Sequence, residues 1–177
     1  MRKLLCKEIR RVLAVMLISS VSLLGTSAAW AQQAAANLKE QVVGTWIVTS
    51  HYVEQEGKKI RPFGSQPKGA FMFDRDGHFS NILMKSDLPK FAAKNRMKGS
   101  AEENKSVVQG TIAYYGTYSV NEEDGSVTFA IEGSTFPNWN GQKQKRFVTI
   151  KGDELNVVNP TSAIGAGTIH VSLKRAK

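Results

Sequence analysis

The sequence predicts an all-β fold, an eight-stranded antiparallel barrel with a short helical insertion between its third and fourth strands. From Val43 onwards, apolar and polar residues alternate in short runs, and most of these runs are separated by turn signals. The first run opens with Gly44-Thr45-Trp46, and a Gly-x-Trp on a first strand is typical of a small closed barrel. Consecutive strands on short connections are antiparallel neighbours, and eight of them can close and remove the exposed edges.

Residues 1–31 have the composition of a secretory signal peptide. Five basic residues precede an apolar run, residues 12–24, that is too short to span a bilayer comfortably. Ala29-Trp30-Ala31 then matches an Ala-x-Ala cleavage signal. We therefore expect cleavage before Gln32 and a periplasmic or secreted mature protein, with an uncleaved N-terminal anchor as the alternative.

The mature chain divides into a lead-in, residues 32–42, and one barrel domain, residues 43–177. Its stability must come from core burial, because the only cysteine, Cys6, lies in the leader and no disulfide can form. The leader holds five of the 24 Lys and Arg residues and one of the 15 Asp and Glu residues, which leaves a net charge of +5. This charge, together with export, argues against nucleic acid as a partner. No integral membrane span is expected in the mature chain, and the oligomeric state is left open.

Eight runs define the predicted strands: 43–53, 69–74, 78–85, 111–120, 126–132, 143–150, 154–159 and 168–175. Arg75-Asp76-Gly77 is a hairpin signal between the second and third of them. Residues 60–68 contain two prolines, so this stretch is predicted to be a loop. In the first run, strict alternation places Trp46 on one face and His51 on the other.

Residues 87–110 break the alternation and predict one or two short helices, separated at Gly99-Ser100. Because this is the only long insertion in an otherwise short-looped barrel, residues 89–110 are expected to form a helical lid over the open end. The basic residues between 90 and 98 are interpreted as a solvated helix face. The alternative is a contact for an anionic ligand or for a membrane surface.

An ordered series of short motifs runs through the mature chain: Val43-Gly44-Thr45-Trp46, Pro62-Phe63-Gly64, Pro67-Lys68-Gly69, Asp76-Gly77, Tyr114-Tyr115-Gly116-Thr117-Tyr118, Glu132-Gly133-Ser134, Phe136-Pro137-Asn138-Trp139 and Arg146-Phe147. With this series the chain resembles the bacterial and fungal lipocalin-like domain family over nearly its whole mature length. The resemblance implies a lipocalin-like antiparallel barrel. It also implies structural roles for Gly44 and Trp46, with Trp46 across the closed end. The resemblance does not by itself assign a function, because fold does not fix function.

Arg146 is an unusual residue for the predicted interior. It alternates with Val148 and Ile150, so its face of the strand is otherwise apolar, and a buried guanidinium needs a partner. Stacking on Trp46 or Trp139 would supply one, worth roughly 0.5–2 kcal/mol. The alternative is that Arg146 anchors an anionic group of a ligand.

Four further residues are candidates for a ligand site. Asn138 and Trp139, in the loop after the fifth predicted strand, would line the barrel mouth as an aromatic wall with an amide handle, or only set the turn. Tyr114 and Tyr118 flank Gly116 and would add two hydroxyls to the interior if they share its face. The alternative is that both are core residues with hydrogen-bonded hydroxyls.

The sequence contains no recognisable catalytic or metal-binding motif. His51, His78 and His170 fall on three separate predicted strands and are interpreted as unrelated histidines. Glu132 is interpreted as a surface charge, and only an inward position would make it a candidate general acid or base. The sequence has no phosphate-binding loop and no nucleophile elbow, and no cofactor or metal is expected.

These observations favour a binding module over an enzyme. The first hypothesis is an exported barrel that holds a small, largely apolar molecule, with Asn138, a Tyr hydroxyl or Arg146 fixing its orientation. The second is a cofactor-free barrel enzyme of the isomerase or cyclase type, and the third is a structural envelope protein with a filled barrel. A ligand-sized cavity would separate the first two from the third, and a carboxylate–tyrosine pair inside it would favour the enzyme.

Overall fold

A computed structural model describes residues 38–161 and 165–177. The predicted signal peptide, residues 1–31, and the lead-in up to residue 37 lie outside the described residues. The end of the lead-in forms a short helix, α1 (Leu38–Val42). Within the described ranges, no helix has the length and apolar character that crossing a membrane requires.

Nine antiparallel strands make up the sheet of the described residues, and eight of them close into the predicted barrel. They are β1 (Gly44–Gln55), β2 (Lys58–Ile60), β3 (Lys68–Phe73), β4 (His78–Met84), β5 (Thr111–Asn121), β6 (Ser126–Ser134), β7 (Lys143–Lys151), β8 (Glu154–Asn159) and β9 (Thr168–Arg175). The ring runs from β1 through β3 to β9 and closes where β9 pairs with β1. The short β2 pairs only with the end of β1 and was not predicted, because its three residues are all exposed and show no alternation.

The helical insertion lies between β4 and β5, which are the third and fourth strands of the ring, as predicted. Its main helix is α2 (Ala101–Gly110), and a single 3-10 turn, Arg96–Lys98, precedes it. The Ser100 hydroxyl accepts a hydrogen bond from the Glu103 N–H at 3.2 Å, and the Glu103 carboxylate accepts one from the Ser100 N–H at 2.7 Å. This capping box explains why the helix begins after Ser100.

The basic stretch before this turn differs from the prediction. Residues 90–95 are not helical, so their exposed lysines do not form a helix face. The Glu103 carboxylate accepts a hydrogen bond from the Ala92 N–H at 2.8 Å, and the Asn95 side chain accepts one from the Met97 N–H. These side-chain contacts hold the stretch as irregular chain against the start of α2.

An irregularity in β1 determines which of its side chains point into the barrel. Trp46 and Val48 are buried inside, and the pairing of β1 with β9 then shifts between Val48 and Ser50. After this bulge the buried positions continue at His51 and Val53. The prediction that His51 lies on the opposite face from Trp46 is therefore wrong, because one extra residue inverts the alternation, and the side chain is only 6% exposed.

The barrel is closed at the end where β1 starts. The indole of Trp46 is fully buried, and its Nε1 donates a hydrogen bond to the Val42 carbonyl at 2.8 Å. The Arg175 guanidinium lies 4.1 Å from the centre of the Trp46 ring system and donates to the carbonyls of Val43 and Gln41 at 2.9 and 2.8 Å. The carbonyls at the end of α1 are thus satisfied by the side chains that close the barrel.

Two further features hold α1 and the closed end together. The Glu122 carboxylate, in the turn between β5 and β6, accepts hydrogen bonds from the Leu38 and Lys39 N–H groups at 3.0 and 2.9 Å. This places a negative charge at the N-terminus of α1. Gly44 has a φ of +125°, and a Cβ at this position would lie 2.9 Å from Arg175 Nη1. Gly44 therefore supplies both a backbone conformation that L-residues rarely adopt and room for the arginine.

We expect Trp46→Ala to lower the free energy of unfolding by about 3–5 kcal/mol, because it removes a fully buried indole together with its hydrogen bond and its cation–π partner. Ile47→Ala is the matched control, since Ile47 is 45% exposed on the outer face of the same strand. Its loss should stay below about 1 kcal/mol. Urea unfolding of both variants measures the difference, and equal losses would contradict the role assigned to Trp46.

Candidate ligand-binding cavity

A cavity of about 450 Å³ lies in the half of the barrel that is remote from α1. Its walls come from the strand ends of that half, the loop after β2, the end of α2 and the connection between β6 and β7. Its aliphatic and aromatic lining is Val53, Pro62, Phe63, Phe71, Leu83, Val108, Ile112, Tyr114, Phe136, Trp139, Val157, Ile169 and Val171. Its polar lining is His51, Gln109, Thr111, Thr135, Arg146 and Asn159.

The cavity opens between α2 and the connection from β6 to β7. Val108 of α2 lines the cavity and is still 73% exposed, and Phe136 of the connection is 37% exposed. Trp139 follows in a 3-10 turn, and its ring packs edge-on against the rings of Phe136 and Tyr114 at centroid distances of 5.8 and 5.2 Å. The helical insertion therefore contributes part of the rim at this end.

Three of the five candidate ligand-binding residues line this cavity, namely Tyr114, Trp139 and Arg146. Tyr118 shares the inward face with Tyr114, but it lies near the closed end. There its hydroxyl donates to the Asp74 carbonyl at 2.6 Å. Asn138 is exposed in the 3-10 turn and is not part of the lining. The structure thus brings Trp139 and Arg146 together in one cavity, and the side-chain amide of Asn138 is not part of it.

The Arg146 side chain is only 4% exposed, which agrees with the alternation in β7. Its Nη1 donates a hydrogen bond to the Tyr114 hydroxyl, and its Nη2 donates one to Gln144 Oε1 at 2.8 Å. The guanidinium carbon lies 4.6 Å from the ring centre of Phe129 and 5.1 Å from that of Tyr114. Within the described residues, no carboxylate lies within 4 Å of this guanidinium.

These contacts correct the expected stacking of Arg146 on Trp46 or Trp139. Arg175 covers the Trp46 ring instead, from the last strand of the barrel. The tyrosine at position 114 accepts the hydrogen bond from Arg146 and presents its ring to Trp139. The aromatic partners of Arg146 are therefore Tyr114 and Phe129.

His51 is a cavity residue that the sequence pattern did not identify. Its ring packs edge-on against Phe63 at a centroid distance of 4.9 Å, and Phe63 also lines the cavity. Burial lowers the pKa of His51 from its ordinary value of 6.5 to about 4, and the nearby charge of Arg146 also lowers it. The imidazole is therefore neutral at pH 7, and Arg146 is the charged group of the cavity lining.

Acidic side chains are absent from the lining, as far as the described residues show. Glu132 is exposed on the outer face of β6, as expected for a surface charge. In the same part of the chain, no group of three or more His, Cys, Asp or Glu side chains is close enough to hold a metal ion. The chemistry of the cavity is thus that of an apolar container with one buried cation and a few neutral polar groups.

Comparison with known proteins places this architecture in a family. The family model described as "Lipocalin-like domain" matches residues 43–173. The chain belongs to the lipocalin-like domain family. This agrees with the family that the sequence motifs resemble, and the matched range includes the whole cavity lining.

Two known proteins are similar to this lipocalin-like chain to different degrees. One is the 4'-hydroxy-3'-methoxypropiophenone carrier protein ppsC of Aspergillus oryzae, which is 31% identical over 86 residues, 44% of this chain and 78% of the relative. The other is the crystal structure of a point mutant of the fluorescent protein UnaG. It is 13% identical, with a TM-score of 0.33 over 77% of this chain and 97% of that one.

The lowered pKa of His51 predicts a specific loss of stability in acid. Between about pH 6.5 and pH 4 the unfolded chain binds a proton that the folded lipocalin-like barrel does not, so stability falls as the pH drops through this window. This contribution should amount to about 2–3 kcal/mol between pH 7.5 and pH 4.5. In His51→Gln this histidine contribution should vanish. The part of the pH dependence that comes from carboxylates should remain in both proteins. Urea unfolding at both pH values tests this, and identical pH dependence in the two proteins would contradict a neutral buried His51.

Proposed function

We propose that this lipocalin-like barrel is a carrier that binds a small, largely apolar molecule in its cavity. The observation that supports this most directly is a cavity of about 450 Å³ that is open at one end and lined mainly by aliphatic and aromatic side chains. Ligand pockets of proteins typically enclose roughly 300–1,000 Å³, and about 150 Å³ is enough for one benzene ring. The cavity therefore suits a ligand of one or two rings, or a short chain of comparable volume.

The contacts inside the cavity indicate how such a ligand would be held. Burial of its apolar surface against Phe71, Leu83 and Val157 supplies the driving force, at about 25 cal/mol per Å². Trp139 and Tyr114 offer ring edges and faces, which favour an aromatic ligand. The few polar groups of the lining would fix the orientation of the ligand, as they usually do in an otherwise apolar pocket.

The relative from Aspergillus oryzae supports a carrier role. Its name describes it as a carrier of 4'-hydroxy-3'-methoxypropiophenone, which is a single aromatic ring with polar substituents and a short ketone chain. A molecule of this kind is compatible in size and polarity with the cavity described above. We extend to this chain the carrier role and the preference for small aromatic compounds, but not that particular ligand.

The two alternative functions have less support. A barrel enzyme of the isomerase or cyclase type would need a general acid or base, and no carboxylate lines the cavity in the described residues. His51 lines the cavity as a neutral imidazole, but within the described residues its Nδ1 has no hydrogen-bond partner that could relay a proton. A purely structural barrel would be filled with side chains, whereas this barrel encloses ligand-sized space.

A neutral fluorescent probe tests the proposed carrier function. N-phenyl-1-naphthylamine should bind the wild-type protein with increased fluorescence, because the cavity excludes water around it. Ile112→Trp fills the cavity wall and should abolish most of this binding, whereas Ile82→Trp on the outer face of β4 should retain it. Equal binding by both variants, or none by the wild type, would contradict a ligand-binding cavity.

We further propose that the carrier is exported and works in the periplasm or outside the cell, after cleavage before Gln32. The basic, apolar and Ala-x-Ala segments of residues 1–31 are the basis of this proposal. N-terminal sequencing of the protein from the periplasmic fraction should yield a chain that begins at Gln32. A chain that retains Met1 would contradict both the cleavage and the compartment.

A further inference from the structure

The geometry points to an acidic ligand: a small apolar carboxylic acid whose carboxylate contacts Arg146 inside the barrel. This inference rests on the proposed binding function and adds the chemical class of the ligand. It assigns the apolar walls to the body of the molecule and the guanidinium to its head group. Three features of the cavity carry it, namely its charge balance, its unpartnered polar atoms and the geometry of the arginine.

The charge balance of the cavity is incomplete. Arg146 is 4% exposed and carries a guanidinium cation, yet both of its hydrogen-bond partners, Tyr114 and Gln144, are uncharged side chains. The rings of Tyr114 and Phe129 compensate part of the charge, by roughly 0.5–2 kcal/mol in general. A buried cation is normally paired with an anion, and the described residues provide none within 4 Å.

In the described part of the chain, the buried side-chain nitrogen and oxygen atoms that lack a hydrogen-bond partner lie at the cavity or next to it. In residues 38–161 and 165–177, the buried side-chain nitrogen and oxygen atoms without a hydrogen-bond partner belong to His51, Asn81 and Arg146. The first and the last of these line the cavity. Asn81 lies in register between Phe71 and Tyr114, which also line it. Such atoms are rare in folded proteins, and at a cavity wall they indicate a missing polar partner.

The arginine itself is suited to an anion. Its Nε–H is the unpartnered atom, and Nη1 and Nη2 each use one of two N–H groups in the contacts described. A carboxylate can accept from two N–H groups of one guanidinium at the same time, which is the strong bidentate arrangement of arginine with carboxylates. A neutral carbonyl would satisfy one donor and leave the charge unpaired. His51, which is neutral, does not compete for the anion.

The test compares acids with their neutral amides. Benzoic, 2-naphthoic and decanoic acid, each paired with its primary amide, are titrated into the full mature protein at pH 7.5 by isothermal titration calorimetry. The acids are then ionised, and each pair has nearly the same shape. At least one acid should bind about tenfold or more tightly than its amide, which is the order expected of a charge-assisted pair.

Two variants locate the anion. Arg146→Met keeps an unbranched apolar side chain in place and should remove the preference for the acid while still binding the amide, which also shows that the variant is folded. Lys143→Met removes the same charge from an exposed position of β7 and should keep the preference. A preference that persists in Arg146→Met would overturn the inference, because the anion would then be held elsewhere.

The outcomes separate this inference from the proposed function. If an acid and its amide bind the wild-type cavity equally, the acidic class is wrong and the carrier function stands. If no member of the three pairs binds and the neutral probe also fails, the carrier function is wrong and the inference falls with it. The comparison of acid with amide in the wild type needs no variant, so it decides the question even if Arg146→Met does not fold.

Discussion

The barrel depends on β1, because this one strand closes the ring and shapes both of its ends. Its first residues pair with β3, its last residues pair with β2, and nearly its whole length pairs with β9. The bulge after Val48 determines which side chains point inward in each half. Trp46 then seals one end under Arg175, whereas His51 and Val53 face the cavity in the other. Closure and cavity are thus consequences of the same pairing.

The two arginines of the barrel show how differently the same group can be placed. Arg175 is about one-third exposed, stacks on an indole and donates to two main-chain carbonyls, so the fold itself provides its partners. Arg146 is almost completely buried and has two neutral partners. A core selected only for stability would replace such a residue by an apolar one of similar volume. Positions that break the rules of a well-packed core are typical of functional sites.

The sequence allowed the strands, the ring and the inward position of Arg146 to be predicted, because alternation and turn signals are local properties. It did not allow His51 to be placed, since a bulge adds one residue without a recognisable local signal and inverts every position after it. It also did not identify the aromatic partners of Arg146, for which Trp46 or Trp139 was expected, because the rings that contact Arg146 depend on the register of three strands. Tyr114 and Tyr118 share the inward face, which the sequence left as a condition, and their depth in the barrel follows from that register.

The contact between the closed end and β9 has a consequence for how the chain reaches its folded state. Arg175 donates to Val43 across 132 positions of sequence, and the partner of Trp46 in β9 is the same residue. The ring therefore cannot close until the C-terminal strand has been synthesised, and until then β1 presents an unpaired edge. Domains with such long-range pairing fold slowly and are exposed to misassembly on the way. A chain that stops before β9 therefore cannot form the closed barrel. It lacks the strand that pairs with β1 and the Arg175 side chain that donates hydrogen bonds to the end of α1.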